Sequence, residues 1–306
     1  MTIAFIHSHK AFLPEIEAYS TFFSAYGIKT AVIYPEESIS TKTNVEWHFM
    51  GTDSNKKENG IIKIHEYTSA SIPPFRKWKD LYKRWFNTKP DYRLFLNEYV
   101  QSQFDFNDNI PFGFRDMGVA TLFPQPGGDP SGKKYDFIYT GNINTERKIE
   151  KLIGCFTKND LKEHSVLILS RDYEERAERF KAFKNIHFAG PVPQNEVKDH
   201  ILKARFAINF MPDKEPFNQQ TSTKLLEYAA LNIPIITTDY AWIRNFQREY
   251  GGAFFYLEKD LSNFTWDRTC NFNYSFPDLS EWKWEKRIRK SGILEFLQSK
   301  FDSLNF

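Results

Sequence analysis

The sequence contains few cysteines and no segment of the kind that enters or crosses a membrane. Cys155 and Cys270 are its only two cysteines, and nothing in the sequence pairs them, which suits a reducing compartment. No run of about eighteen apolar residues is present to span a bilayer. The first residues, Met1–His7, lack the basic, apolar and small-residue zones of a secretory signal peptide. These absences favour a cytoplasmic protein.

The chain also lacks internal repeats, low-complexity segments and a strong excess of charge of either sign. Its 41 Lys and Arg residues against 39 Asp and Glu residues give a net charge of only +2. General nucleic-acid-binding proteins concentrate basic charge on one face. This balance therefore argues against nucleic acid as a partner.

Strands and helices are predicted to alternate along the chain, as in parallel α/β domains. Thr2–Ile6 and Thr30–Tyr34 have the pattern of strands, and a helical pattern that begins at Pro14 lies between them. A second alternation starts at Asp136–Thr140 and predicts five short strands with helical crossovers, the last at Ile233–Thr237. That pattern is typical of a doubly wound sheet.

With 306 residues, the chain is about twice the usual size of one domain, so we expect two domains that share a cleft. Glycines and prolines crowd the stretch between Pro111 and Pro130, which is predicted to be loop and to contain the boundary. The predicted division is a first domain over 1–125, a second over 126–280, and a C-terminal helix over 281–306 that packs back on the first domain.

The loop after the first strand of the second half carries Gly141 and Asn142, and the basic pair Arg147 and Lys148 follows where a helix is predicted to begin. Glycine lets the backbone turn closely after the strand. Basic residues at a helix N-terminus oppose the helix dipole, so they need another reason to be there, and a bound diphosphate supplies one. The alternative is a solvated first turn.

A second loop, containing Gly190 and Val192, has two prolines that would make a rigid, flat wall suited to packing on a planar base. The alternative is an ordinary turn between a strand and a helix.

The third loop gives the strongest signal and leads into a predicted helix. Its free helix amides would form a phosphate cradle. Glu227 follows about one turn later, on the face that carries Thr223, and its carboxylate could accept hydrogen bonds from a ribose diol. The alternative for Glu227 is a side chain that reaches solvent. The predicted donor-binding residues of this loop are Gln220, Thr221, Ser222, Thr223, Lys224 and Glu227, with hydroxyls among them that suit a helix cap.

In this order and at these distances, the three loops resemble the C-terminal half of retaining GT-B glycosyltransferases, in particular glycosyltransferase family 4. Phe188–Glu196 is similar to the family's F-x-G-x-V-P/x-x-E segment, which lines the base site. Glu227 and the strand Ile233–Ile236 match the end of its Glu–seven residues–Glu motif. The segment Thr221–Tyr228 resembles enzymes of bacterial capsule and O-antigen assembly. The resemblance covers roughly residues 135–240.

This resemblance implies an α/β GT-B fold, with two Rossmann-like doubly wound domains facing across a cleft. It also implies transfer of a hexose from a nucleoside-diphosphate sugar, uridine-linked by default, to a saccharide or lipid-linked saccharide. Two positions depart from the family. Gln219 stands where the motif has its first Glu, and Asn142 stands where an Arg follows the glycine. The basic role would therefore pass to Arg147, Lys148 or Lys224.

The resemblance further implies retention of anomeric configuration, with the leaving phosphate accepting the proton of the acceptor. Helix amides with Arg or Lys can stabilise that phosphate without a metal, and no Asp-x-Asp stands in a suitable loop, so no metal or other cofactor is expected. The predicted catalytic residues are His7, His9, Glu15 and Gln219, and the predicted acceptor-binding residues are Lys10, Arg115 and Asp116. For the two histidines, a polar loop without a catalytic role is the alternative.

The segment 74–86 combines aromatic and basic residues at helical spacing. As a helix it would place Phe75, Trp78, Tyr82, Trp85 and Phe86 on one face, flanked by lysines and arginines. Such a helix can lie on an anionic membrane surface, which would make the protein peripheral at the inner face of the cell membrane. The alternative is that the aromatic stripe packs on the N-terminal sheet.

Two other functions remain open from the sequence. One is a nucleotide-sugar epimerase of the same two-domain shape, which would turn over its nucleotide sugar without an acceptor. The other is a non-catalytic protein that binds a nucleotide sugar and neither transfers nor hydrolyses it.

Overall fold

The structure is a computed structural model of the 306-residue chain and describes residues 1–7, 13–34, 36–39, 42–49, 52–53, 55–72, 74–120, 132–143 and 147–301. Contacts divide the described residues into two units. Unit 1 comprises those within Met1–Ala120 and Glu281–Phe306, and unit 2 comprises those within Thr121–Ser280. Among the helices of these residues, none has the length and apolar composition needed to cross a membrane.

Strands and helices alternate through both units. The strands are β1 (Thr2–Ile6), β2 (Lys29–Ile33), β3 (Val45–Phe49), β4 (Ile62–Tyr67), β5 (Tyr92–Phe95), β6 (Phe112–Phe114), β7 (Tyr135–Thr140), β8 (Val166–Leu169), β9 (Ile186–Ala189), β10 (Ala204–Asn209), β11 (Ile235–Thr238) and β12 (Phe255–Leu257). The α-helices are α1 (Pro14–Ser24), α2 (Arg76–Phe86), α3 (Glu98–Phe104), α4 (Ile149–Cys155), α5 (Glu174–Phe180), α6 (Gln194–Leu202), α7 (Thr223–Ala230), α8 (Ala241–Tyr250), α9 (Trp266–Cys270), α10 (Trp284–Lys290) and α11 (Ile293–Lys300).

Unit 1 is built on a parallel sheet of six strands in the order β2-β1-β3-β4-β5-β6. Helix α1 begins at Pro14, whose fixed φ suits the first helical position. Its apolar residues recur every three or four positions, so one stripe of the helix is buried against the sheet. The buried residues of that stripe are Ile16, Tyr19, Phe22 and Phe23.

The two C-terminal helices complete the core of unit 1. Ile288 of α10 and Leu297 of α11 are fully buried in the same cluster as Ile3, Phe5 and Trp47. A short backbone pairing joins the segments, because Val119 N donates to the Trp282 carbonyl at 2.8 Å. Unit 1 is therefore made from two segments of the chain that are separated by all of unit 2.

Unit 2 is built on a second parallel sheet of six strands, in the order β12-β11-β10-β7-β8-β9. From β7 the chain adds β8 and β9 on one side, then returns and adds β10, β11 and β12 on the other. This reversal between β7 and β10 is the topological switch point, the place where doubly wound sheets bind ligands beyond the strand ends.

Several elements differ from the sequence prediction. Each sheet has an additional short edge strand, β6 and β12, and helices α3 and α8 occur where none is predicted. Within segment 74–86, the helix covers Arg76–Phe86. The single C-terminal helix is in fact two helices, because Gly292 adopts a φ of 71° between them and breaks the helical path.

Candidate functional site

The N-terminus of α7 lies at the switch point of unit 2 and is held there by a buried polar network. Ser222 is the N-cap, and its Oγ accepts a hydrogen bond from Leu225 N and donates to Asn209 Oδ1 at 2.7 Å. Asn209 Nδ2 in turn donates to Thr237 Oγ1 and to the Tyr240 hydroxyl, at 3.0 and 2.9 Å. The Ser222 hydroxyl therefore builds the site, and its burial leaves it no direct contact with a ligand.

The first two backbone amides of α7 have no partner in the part of the chain that the structure describes. Among the described residues, the N–H groups of Thr223 and Lys224 make no hydrogen bond, as expected for the first turn of a helix. These amides carry partial positive charge, which the helix dipole reinforces. The turn is therefore equipped to receive an anion.

The loop after β7 packs directly against this helix. Tyr228 of α7 places its hydroxyl 3.0 Å from Thr140 N and 2.8 Å from Thr140 Oγ1. Gly141 has a φ of 114°, and a Cβ added to it would lie 2.8 Å from Lys224 Nζ and closer still to Lys224 Cε. Glycine is needed here because the lysine side chain crosses the turn. Two sequence-predicted loops thus meet, and Lys224 lies between them.

Two further charged groups surround Lys224. Arg147 contacts the same region, with its NH1 3.5 Å from Met211 Sδ and its guanidinium 5.5 Å from the Phe217 ring centroid. Burial and, to a smaller extent, the positive charge of Arg147 lower the pKa of Lys224 to about 7, although Glu227 opposes the shift. A lysine held in this state gains its full charge when an anion binds beside it.

Glu227 lies one turn further along α7 and has no hydrogen bond or ion pair with the described residues. Its side chain is partly buried. Burial raises the pKa of Glu227 to about 7, an effect that Lys224 partly offsets. A partly buried carboxyl without a partner is costly unless a ligand completes its hydrogen bonds, so Glu227 is well suited to contact a polar group.

The other predicted donor residues are distributed around this turn. Gln219, Gln220 and Thr221 are partly buried in the approach to α7, and Gln220 Nε2 donates to the Pro216 carbonyl at 3.1 Å. Asn142 is exposed, and its carbonyl accepts a hydrogen bond from the Tyr139 hydroxyl at 2.8 Å. Of the three cations proposed for a diphosphate, Arg147 and Lys224 interact electrostatically with each other, whereas Lys148 is exposed at the N-cap of α4.

The predicted base wall follows β9, two strands away from β7, which corresponds to about 10 Å at the usual strand spacing. A Cβ on Gly190 would overlap the Ser170 carbonyl and the ring of Tyr173, so this glycine serves close packing. Val192 is partly exposed. Gly190 and Val192 therefore lie at the same ends of the strands as the N-terminus of α7, two strands along the sheet from β7.

In unit 1, the predicted residues fall into three situations. His9 and Lys10 lie outside the described residues. His7 directly follows β1, donates its N–H to the Ile33 carbonyl at 2.9 Å, and packs its ring edge-on against Tyr34. Glu15 and Arg115 belong to a buried charged cluster, whereas Asp116 is partly exposed and accepts a hydrogen bond from Met117 N at 2.7 Å.

The Arg115 cluster corrects the role predicted for that arginine. Its guanidinium is fully buried and donates through Nε to Glu66 Oε1 at 2.7 Å and to the Tyr19 hydroxyl at 3.1 Å. Its NH2 donates to Glu66 and, at 3.3 Å, to Glu15 Oε1. Trp47 Nε1 donates to the other Glu66 oxygen at 2.7 Å. Arg115 is thus placed to hold Glu15, and direct contact with an acceptor is blocked by its burial.

Glu15 keeps one oxygen without a partner. Its Oε2 is buried and makes no hydrogen bond with the residues that the structure describes. Burial raises the pKa of Glu15 to about 7, Arg115 lowers it, and Glu66 raises it. Burial is the main reason why Glu15 keeps a proton up to near neutral pH, and the second carboxyl on the same guanidinium adds to the effect.

A second buried polar cluster lies on the other face of β3 and β4 and has no counterpart in the sequence prediction. Asp53 Oδ2 is 3.1 Å from Lys63 Nζ and 2.9 Å from His65 Nε2. His48 Nε2 is 3.2 Å from Glu46 Oε2. Burial lowers the pKa of His65 to about 4 although Asp53 raises it, so this ring is neutral near pH 7. Alternating charged residues in two neighbouring strands are the signal that would have revealed this cluster.

A scan of the sequence against protein-family models and a comparison with curated proteins give no match. Solved structures, in contrast, resemble the chain over nearly its whole length. The glycosyltransferase AviGT4, involved in avilamycin A biosynthesis, has a TM-score of 0.56 at 10% identity and aligns over 99% of this chain and 97% of its own. HepE of Anabaena, in complex with UDP and glucose, has a TM-score of 0.61 at 9% identity, with 98% and 100% covered.

The UDP-GlcNAc 2-epimerase of Methanocaldococcus jannaschii, in complex with UDP-GlcNAc and UDP, gives a TM-score of 0.57 at 14% identity, with 97% of this chain and 100% of that chain covered. At these identities the likeness establishes the fold. The chain has the GT-B fold of two Rossmann-like units, as predicted.

Proposed function

We propose that this chain is a glycosyltransferase that binds a nucleoside-diphosphate sugar, UDP-hexose by default, at the N-terminus of α7. The observation that carries the proposal is the convergence of unpaired helix amides, Lys224 and Arg147 at the switch point of unit 2, with the unpartnered carboxyl of Glu227 one turn away. The site thereby combines groups that can bind an anion with a carboxyl that can bind hydroxyl groups. The glycosyltransferase AviGT4 and HepE, which was solved in complex with UDP and glucose, have the same fold, and this supports the proposal.

The diphosphate would lie against the amides of Thr223 and Lys224. When the glycosidic bond breaks, negative charge grows on the leaving diphosphate, and preorganised N–H groups with Lys224 and Arg147 stabilise it. Glu227 would accept hydrogen bonds from the ribose diol, and the wall at Gly190 and Val192 would face the base. This arrangement supplies the stabilisation within the protein, so we propose transfer without a metal.

Unit 1 would serve the acceptor. We propose Glu15 as an acceptor-side catalytic residue whose carboxyl Arg115 positions. His7, His9, Lys10 and Asp116 are the remaining acceptor-side candidates. We infer, from the resemblance to family 4, that the sugar is transferred with retention onto a saccharide or lipid-linked saccharide. The same resemblance supports a role in capsule or O-antigen assembly. The aromatic and basic segment 74–86 supports a position at the inner face of the cell membrane.

A nucleotide-sugar epimerase is the second candidate function, because the M. jannaschii UDP-GlcNAc 2-epimerase has a similar fold. A hexose can be epimerised only where groups near the sugar move protons, and Gln219 carries no carboxylate at the motif position. Incubation with UDP-GlcNAc in the absence of acceptor separates the two functions. Formation of a new epimer would establish the epimerase, and its absence with transfer to added acceptor would establish the transferase.

A thermal-shift titration tests the donor site, and nucleotide binding without transfer or hydrolysis would identify a non-catalytic binding protein. A ligand present at about a hundred times its dissociation constant adds about 2.7 kcal/mol to the free energy of unfolding. We expect UDP and UDP-sugars to raise the melting temperature of the wild type, and Glu227→Gln to lose most of the response. Glu249→Gln, an exposed glutamate on α8, is the matched control and should respond like wild type. No response of the wild type to any nucleoside diphosphate would reject the proposal.

A further inference from the structure

The aromatic side chains of segment 74–86 are exposed, although they are among the largest apolar groups in the chain. Phe75 is 75% exposed, Trp78 71%, Trp85 68% and Phe86 61%, and Tyr82 is also exposed. The aromatic stripe therefore does not pack on the N-terminal sheet, and that alternative from the sequence is wrong. Such a contiguous exposed apolar face on a protein surface marks a contact with something else.

Helix α2 instead turns its polar side toward the protein. Asp80 is buried, and its Oδ1 accepts a hydrogen bond from Ser71 N at 3.3 Å. Three cationic side chains on this side are tied back to unit 1: Arg76 to the Tyr99 hydroxyl at 3.0 Å, Lys83 to Ser71 Oγ at 3.2 Å, and Arg84 to Asp105 at 3.2 Å. These anchors fix the rotation of the helix about its own axis.

The helix is thus inverted relative to an ordinary surface helix, in which the apolar stripe faces the core. At about 100° per residue, Trp78, Tyr82 and Trp85 fall within an arc on the side opposite Asp80. A core contact would require the opposite rotation, which the Asp80 and Lys83 hydrogen bonds prevent. The fold therefore holds the aromatic arc outward.

We propose that α2 docks unit 1 on a lipid surface that contains anionic lipid. Tryptophan and tyrosine combine an apolar ring with a polar tip and are favoured at the boundary between headgroups and acyl chains. The exposed lysines Lys77 and Lys79 flank the aromatic arc and complement anionic headgroups. An 11-residue helix is about 16 Å long, which is too short to span a bilayer and suits a helix lying in its surface.

Charge disfavours a second copy of the chain as the occupant. Two α2 faces brought together would place Lys77 and Lys79 of one copy near the same lysines of the other, without an acidic residue on the arc to offset them. This inference deepens the proposed function, since a lipid-linked acceptor lies at such a surface. Its test needs no transfer activity.

The test is flotation of the full chain with phosphatidylcholine vesicles, with and without an equal part of phosphatidylglycerol. We expect wild type to float with the anionic vesicles. The affinity of the double variant Trp78→Ala/Trp85→Ala for these vesicles should be lower by about tenfold or more. The matched control is Phe183→Ala/Phe276→Ala, two partly exposed rings on unit 2, which should float like wild type. Lys77→Gln/Lys79→Gln should lose about fivefold per lysine, the fold-change corresponding to about 1 kcal/mol each, on anionic vesicles only.

Circular dichroism and UDP-glucose binding accompany each variant. Unchanged values for the tryptophan variant would show that its loss of flotation comes from the surface and leaves the donor site intact. The inference is overturned if wild type does not float, or if the tryptophan variant floats equally well. It is also overturned if light scattering finds a dimer that this variant dissociates, since a second copy would then cover the face. Flotation without any nucleotide binding would reject only the proposed function.

Discussion

The pH dependence of donor binding follows from the charged pair in the first turns of α7. In the free protein, burial lowers the pKa of Lys224 to about 7 and raises the pKa of Glu227 to about 7. A diphosphate beside Lys224 stabilises the ammonium form and returns its pKa toward the ordinary value near 10.5. Binding above neutral pH therefore requires the uptake of a proton, and affinity falls as that proton becomes harder to obtain.

The size of the effect can be worked out from these values. With a free pKa of about 7 and a bound pKa several units higher, the affinity falls about tenfold per pH unit on the alkaline side. Between about pH 6.5 and pH 8.5 the loss through Lys224 alone, which the Glu227→Gln variant isolates, is about 25-fold. On the acid side, protonation of Glu227 weakens the ribose contact, so the wild-type profile should have its maximum near pH 7.

Isothermal titration calorimetry with UDP-glucose measures this profile directly. Both phosphates of UDP-glucose are diesters that stay ionised over the range, so the protein's own groups carry the pH dependence. Lys224→Met should remove the alkaline limb and Glu227→Gln the acid limb, while Lys259→Met, an exposed lysine on unit 2, should keep both. An alkaline limb that persists in Lys224→Met would refute the assignment of the titrating group.

Two further substitutions test the turn and the acceptor side. Gly141→Ala places a Cβ against Lys224 at a φ of 114°. We expect this Cβ to displace the lysine and to weaken UDP-glucose binding about tenfold or more, as measured by calorimetry. An unchanged affinity would contradict the contact between Gly141 and Lys224. Glu15 has a pKa raised from 4.5 to about 7, so wild type loses up to about 3 kcal/mol of stability as pH rises from 4.5 through 7. Glu15→Gln should lack this loss in urea melts at pH 5 and 8, and should transfer sugar poorly; melts that follow wild type at both pH values would reject the raised pKa.

Much of the fold was predictable because most strands are short, apolar and bounded by glycine, proline or polar turns. The strand at Thr2–Ile6 was predicted with the observed bounds. The edge strands β6 and β12 were missed because three residues give no measurable alternation, and tertiary pairing alone makes them strands. The break at Gly292 was missed because helical periodicity continues on both sides of it.

The candidate donor site was accessible from the sequence because its parts lie in loops whose place on a parallel sheet is fixed by topology. Gly141 and Lys224 could be expected at the same edge, although their direct contact could not. The Glu15, Glu66 and Arg115 cluster was out of reach, since its members are 49 and 100 residues apart from the arginine and no local pattern joins them. For α2, amphipathicity identified two faces, but only the contacts of Asp80 decide which one points inward.

The two-segment construction of unit 1 also sets an order of events during synthesis. Residues 1–120 leave the ribosome first, yet the apolar layer that Ile288, Ile293 and Leu297 provide emerges only after unit 2 has been made. Unit 2 is therefore the first unit with every residue available, and it can fold while the N-terminal sheet still lacks part of its cover. Until translation reaches those helices, the nascent N-terminal half exposes apolar surface of the kind that chaperones bind.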